Sequence, residues 1–307
     1  MKKLLLFIVK WLIIFWVASV VSFGVGRLMP GSPAQLLLQA YDLPETPENI
    51  EMIERQWGLD EPLIKQYGAW MKNFLRGDWG RSMISKLEIR KLFLKKLPYS
   101  LILGFGSILI SSLFAFFMGF AAAIRPGGLA DKLSRGLAVF AQTVPSSILA
   151  VLTIYLIGVK LKAVKFFTGG STAGVVAATL FLSLYAVGGL ARIVRVHFRE
   201  QMGKPYIRFA VARGFESNYA LLRYGSRPVL YGLVSVLIPK FGWILGGSSV
   251  MEFIFTIPGI SYFLVDSIRL RDYYVIQSYI MVVVIWMFAI NCISNLIMNV
   301  LDGREGV

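Results

Sequence analysis

Few side chains in this chain could do covalent or acid–base chemistry. It carries one histidine, His197, and one cysteine, Cys292. A transition-metal site needs several imidazole or thiolate ligands, so the chain has too few to build one alone. A disulfide framework is excluded as well. No Asp or Glu falls inside the long apolar runs, so no intramembrane carboxylate pair of the kind that carries protons or ions is visible. The phosphate-cradling pattern G-x-x-x-x-G-K-[ST] is absent. The one Gly-Lys pair, Gly203-Lys204, runs into Pro205, so no nucleotide is held by that route. The expectation is a chain with no catalytic residue, no metal and no cofactor of its own.

Two residues and one segment remain. Lys240 follows Pro239 within an apolar run, where an ammonium costs roughly 2.5–3.5 kcal/mol on insertion scales. It reads as a translocation-pathway residue that attracts carboxylates, or as a cation that snorkels or pairs with a partner's acid. Glu252, at the end of the same run, reads as a gating or docking group on the pathway, or as an interfacial structural residue. His197 lies among arginines and reads as a surface histidine; Cys292 reads as a small packing residue. The segment is Gly203 to Gly214, basic and bounded by glycine. Pro205 suits a helix start and Gly214 a helix end. Ala210 and Gly214, four residues apart, give a helix face with almost no bulk, edged by Arg208 and Arg213. Such a face suits close approach by a soluble partner's backbone.

The elements that position these residues are apolar helices. Of the 307 residues 56% are hydrophobic and 16% charged, and the mean hydropathy is +0.66; these are membrane-protein values. About 20 residues cross a bilayer core, and six runs are long enough: Leu4–Leu28, Leu101–Ile124, Leu137–Val159, Ala173–Ile193, Val229–Met251 and Gln277–Leu301. The first far exceeds a signal-peptide core and is not expected to be cleaved. Gln142, Thr143 and Pro145 in the third run, and Ser183, Gly188 and Gly189 in the fourth, suit helix contacts or a pore. The net charge is +15, and the side of the membrane that holds the N-terminus carries 15 cations against five acids, eight of the cations being Arg192, Arg195, Arg199, Lys204, Arg208, Arg213, Arg223 and Arg227 around the end of the fourth run and before the fifth. The positive-inside rule then puts both termini in the cytoplasm and makes the charge topogenic, with no nucleic-acid partner expected. Between the first two runs lies one sizeable outer segment. There Ile50, Ile53 and Trp57 make one amphipathic stripe, and Leu63, Tyr67, Trp70 and Phe74 another. Phe253–Tyr274 reads as a re-entrant or surface hairpin broken at Pro258-Gly259. No internal repeat is found, which weighs against a secondary transporter.

Tyr206-Ile207-Arg208-Phe209-Ala210-Val211-Ala212-Arg213-Gly214 resembles the loop by which permeases of bacterial ABC importers for oligopeptides, dipeptides and nickel or metal chelates meet their ATPases. Pro30-Gly31-Ser32-Pro33-Ala34, Gly58-Leu59-Asp60-Glu61-Pro62-Leu63 and Gly77-Asp78-Trp79-Gly80-Arg81-Ser82 are similar to motifs of that family's outer segment. So are Lys96-Leu97-Pro98-Tyr99-Ser100-Leu101, the Glu252–Ile260 stretch with Phe255 and Pro258-Gly259, and Arg271-Asp272-Tyr273. Ser32 stands where the family usually has Asp, and Arg223–Gly232 departs from the family's usual start of the fifth span.

The resemblance implies an all-α integral membrane protein of six transmembrane helices. A first helix over 1–29 would lead to an extracytoplasmic helical segment over 30–97. A permease core over 98–307 would follow, with a coupling loop over 194–228. Pro205, Tyr206, Ile207, Arg208, Ala210, Ala212, Arg213 and Gly214 would form the ATPase-coupling helix. Expected partners are a second homologous permease, two ABC ATPase subunits that bind ATP and Mg, an extracytoplasmic substrate-binding protein and membrane lipid. The cargo would be an oligopeptide or dipeptide, or alternatively nickel or an opine-like metal chelate. An ion-coupled secondary transporter is the remaining alternative.

Overall fold

The computed structural model describes residues 2–28, 33–166, 169–246 and 248–302. Pro30-Gly31-Ser32 of the first outer motif lies outside them. In chain order the helices are α1 (Lys2–Leu28), α2 (Pro33–Ala40), α3 (Pro47–Trp57), α4 (Leu63–Leu75), α5 (Ile89–Ile124), α6 (Leu129–Thr143) and α7 (Ser146–Thr153). A π-helical stretch, Ile154–Lys160, continues α7. Then come α8 (Thr172–Met202), α9 (Pro205–Ala212), α10 (Ser217–Gly242), α11 (Ser249–Ile254), α12 (Ile260–Arg269) and α13 (Tyr273–Asp302). The only strand-like pairing among the described residues is an isolated bridge between Arg81 and Glu88. The chain is all-helical.

Compactness divides it into one unit of 1–98 with 260–288, and another of 99–259 with 289–307. In the first, α3 is set by local chemistry. The Thr46 hydroxyl accepts the Asn49 N–H at 3.3 Å, Pro47 opens the first turn, and Gly58 closes the last at φ 62°. This is the usual division of labour among cap, first-turn proline and left-handed C-terminal glycine. Ile53 of the first stripe is buried with Leu37, Leu38 and Met83, and Ile50 and Trp57 pack beside them. In the second stripe Phe74 is buried, but Leu63 is exposed; Pro62 starts α4 there, and Leu63 points away from the Tyr67–Trp70–Phe74 line.

In the second unit, α8 packs along α6 and α10. It crosses α6 at Gly188, where a Cβ would stand 2.6 Å from Leu137 Cβ; only a residue without a side chain permits that approach. The third apolar run is not one straight span. Val144 is extended, Pro145 starts a new helix, and the pieces on either side meet at 101°. Pro145 has no N–H to continue the α6 ladder and drives the preceding residue out of the helical region. The fifth run also differs from expectation. α10 already begins at Ser217, well before Val229, and ends at Gly242, short of Met251. Among the described residues four helices are long and apolar enough to cross a membrane, or five if the bent pair is one span. α10 is not among them, with Arg223, Arg227 and Lys240 along its length.

Candidate functional site

The sequence motifs meet in pairs. In the second unit the Ser100 hydroxyl donates to Glu252 Oε1 at 2.7 Å, and the Ser248 hydroxyl donates to the same atom at 2.8 Å. Glu252 is fully buried. A Cβ on Gly259 would lie 2.4 Å from its carboxyl carbon and 2.6 Å from Ser100 Oγ, so glycine here makes room for the carboxyl group. Of the two readings of Glu252, a gating or docking group on the pathway and a structural residue, its burial as a shared acceptor between Tyr99-Ser100 and Pro258-Gly259 favours the second. Its truncation in Glu252→Ala leaves two hydroxyls without their acceptor, a loss of about 1–3 kcal/mol. The melting temperature of the purified assembly should fall, and Glu252→Gln, which keeps an acceptor oxygen, should recover most of it.

In the first unit Asp272 makes the matching contact. The Ser82 hydroxyl donates to its Oδ2 at 2.5 Å, and the Met83 N–H donates to Oδ1 at 3.2 Å. The Val275 N–H reaches Oδ1 at 3.5 Å, so the same carboxyl caps α13. Burial pushes the Asp272 carboxyl above the ordinary aspartate value, and the hydrogen bonds from Ser82, Met83 and Val275 only partly oppose it. A raised native pKa means that the folded state holds the proton more tightly than the unfolded one. The buried carboxyl's net contribution to stability is therefore complete below the ordinary aspartate value and is lost as pH rises through the native pKa, because the cost of burying the charge outweighs the hydrogen bonds that favour it. Amide exchange at Met83, corrected for intrinsic rate, should quicken from pH 4 to pH 7, and Asp272→Asn should flatten that dependence.

The segment expected to couple to a partner is α9. Pro205 occupies its first turn, and Gly214 closes it at φ 91° with its N–H on the Val211 carbonyl at 2.9 Å. Ile207 and Ala210 are buried, Ala210 at 6% exposure, while Phe209 is 65% exposed and Tyr206 and Val211 also face out. α9 packs on α10 and on the end of α8. This corrects the expectation that Ala210 joins Gly214 in an outward small face. Ala210's lack of bulk serves the chain's own packing, and the outward surface is an aromatic and arginine ridge. The Arg213 guanidinium lies 5.9 Å from the Phe209 ring centroid, and Phe215 stacks on Tyr219 at 5.8 Å beside it. Arg208, Ala212 and Gly214 are exposed there too.

One further correction concerns a single residue, and one contact was not anticipated. His197 is not a plain surface histidine: it is half-buried, and Gly232 of α10 approaches so closely that a Cβ would fall 2.5 Å from its Nε2. Asp131, not singled out in the sequence, is buried at the start of α6. The Gly127 N–H donates to its Oδ2 at 2.8 Å, and Arg135 pairs with the same oxygen at 3.1 Å. Arg195 of α8 reaches Oδ1 at 2.9 Å, close enough for an ion pair though not aligned as a hydrogen bond. The one available signal was an acid within a basic loop, four residues before Arg135. Lys240 is exposed near the end of α10, and Cys292 is partly buried in α13.

Residues 94–306 match the family described as the binding-protein-dependent transport system inner membrane component. The chain belongs to that family. Residues 1–103 match the companion N-terminal family of the same transport-system membrane components. Among curated relatives of this permease family, the glutathione transport system permease protein GsiC of Shigella boydii serotype 4 is 30% identical over 283 residues, covering 92% of this chain and 91% of its own length. GsiC of Escherichia coli K12 matches to the same extent. The protein is thus a multi-pass inner-membrane permease subunit of an ABC importer, not an enzyme.

Proposed function

We propose that this permease imports oligopeptides or dipeptides by alternating access. It would work with a second homologous permease, two ABC ATPase subunits that carry ATP and Mg, and an extracytoplasmic substrate-binding protein. The observation that carries the reading is α9, an exposed aromatic and arginine ridge joining α8 and α10, two long helices that pack on each other. A ridge at such a junction suits a soluble motor that must move both. In this reading α1, α5, the bent α6–α7 pair, α8, α10 and α13 are the six spans. Both termini and α9 lie in the cytoplasm. Residues 1–29 form the first span, 30–97 the outer segment, and 98–307 the core with its coupling loop over 194–228. Peptide cargo is favoured because the relative GsiC is named for glutathione, which is itself peptide-like.

The test is ATP-dependent uptake in proteoliposomes holding all partner subunits, with labelled dipeptides and tripeptides against nickel and nickel chelates. Uptake of chelates alone would replace the cargo, and uptake driven by an ion gradient without ATP would overturn the mechanism. Within this reading Lys240, exposed and following Pro239, lines the pathway. Lys240→Gln should then slow uptake of acidic peptides relative to neutral ones by about tenfold, the size of one lost charge pairing. Equal rates for both classes would assign Lys240 to snorkelling.

A further inference from the structure

The break in the third apolar run leaves a backbone acceptor without its helical donor. In an uninterrupted helix the N–H of residue 145 would bond the Ala141 carbonyl, but Pro145 has no N–H. Neighbouring donors are committed elsewhere. The Val144 N–H bonds the Phe140 carbonyl at 2.9 Å, and the Thr143 hydroxyl donates to the Val139 carbonyl at 2.9 Å. Beyond the break, the Ile148 and Leu149 N–H groups turn to the Pro145 carbonyl at 3.1 and 3.3 Å and start a new ladder. The Ala141 carbonyl therefore takes its donor from outside its own run, as a backbone group freed by proline inside an apolar span must.

That donor is Tyr185 of α8. Its hydroxyl donates to the Ala141 carbonyl and lies 3.3 Å from the carbonyl of Val144, the extended residue at the corner. The approach is set by Gly188, where a Cβ would stand 2.5 Å from the Ala138 nitrogen. Residues three apart share a helix face, so this close crossing brings the Tyr185 hydroxyl within reach of the α6 backbone. The ring is held as well: Phe181 stacks on it at 6.4 Å, and Phe181 in turn meets Phe255 at 5.6 Å.

A proline fixes where a run can break but not the angle that results. With no hydrogen-bond ladder across the corner, the 101° between the two pieces is left to whatever touches it. We infer that Tyr185 is a positioning residue of the transport cycle: its hydroxyl replaces the donor that Pro145 lacks and ties the angle between α6 and α7 to α8, the helix that leads into α9. One side chain then links the shape of the broken run to the helix next to the coupling segment. The geometric half of this role holds for any cargo. The transport half rests on the importer reading, and the two halves have separate readouts.

The test uses the full transporter in nanodiscs, in a Cys292→Ser background, with spin labels at Leu133→Cys on α6 and Val159→Cys beyond α7, both exposed positions. A straight helix would set these about 39 Å apart, and the bend brings them closer. Double electron–electron resonance should give one narrow, short distance for the parent. Tyr185→Phe, which keeps the ring and loses only the hydroxyl, should give a broader and longer distribution. In proteoliposomes with the partner ATPases, the same variant should move several-fold less substrate per ATP hydrolysed. An unchanged distance distribution overturns the geometric role, and an unchanged transport ratio despite shifted distances overturns the role in transport. Pro145→Ala restores an N–H at that position, so adding Tyr185→Phe to it should alter the distances little. A change as large as in the proline background overturns the assignment to the Ala141 carbonyl. Should Tyr185→Phe alone fail to assemble, the double variant decides. Assembly recovered by Pro145→Ala supports the missing-donor role, and continued failure overturns it. Absence of ATP-driven uptake by wild type would count against the importer reading, while the distances would still decide the geometry.

Discussion

Phe209→Ala should abolish ATP-driven uptake while the permease still folds and inserts. Phe209 is 65% exposed on α9, so its removal opens no cavity inside the chain. Whatever it contributes must come from a partner. Burying a phenylalanine ring at an interface stabilises by about 1.5–3 kcal/mol, and aromatic and arginine residues dominate interface energetics. Affinity for the ATPase should therefore fall by roughly 10- to 100-fold. The measurement is co-purification of the ATPase with the variant and the permease-stimulated hydrolysis rate. Unchanged co-purification would remove the ridge from the coupling role. Ala210→Trp is the contrasting variant. Because Ala210 faces inward at 6% exposure, a bulky ring there should push α9 off its own chain and lower the melting temperature, a folding defect distinct from lost docking.

Asp131→Asn should separate ATP hydrolysis from transport. Asparagine keeps an acceptor for the Gly127 N–H but removes the charge facing Arg135 and Arg195. The α9 ridge is untouched, so the ATPase should still dock and turn over. What is lost is the ionic tie between the start of α6 and α8, the helix that ends three residues before α9 begins. Substrate moved per ATP hydrolysed should drop by about tenfold, within the usual range of coupling between distant sites. The double exchange Asp131→Arg with Arg195→Asp should restore part of it. A ratio equal to wild type would show that the tie is merely local.

The short helix Pro205–Ala212 was legible because its punctuation is covalent: Pro205 and Gly214 restrict the backbone wherever the helix packs. The orientation of that helix was not legible. Small residues at 210 and 214 fit an inward contact and an outward one equally well, and only the packing of α9 on α10 decides between them. The break at Pro145 was similarly ambiguous, since a proline within an apolar run can kink a helix or end it. The end of α10 at Gly242 carried no sequence signal, because apolar residues continue past it. Asp131 and Asp272 were missed as contacts for a different reason. Their partners Arg195 and Ser82 lie 64 and 190 residues away, beyond any periodicity. The outer motifs were recognised one by one, but that Ser82 would meet Asp272, and Ser100 meet Glu252, required the fold.

α8 runs unbroken from Thr172 to Met202, whereas the neighbouring α6–α7 pair turns through 101°. At 1.5 Å per residue α8 is about 45 Å long, enough to cross the bilayer and extend beyond it. With its waist gripped at Gly188 and its lower end joined to α9, it has the mechanical properties of a pushrod. Between Met202 and Ser171 the helix has no break in its backbone. The angled pair beside it is interrupted at Val144-Pro145, so the two neighbours do not carry a displacement in the same way.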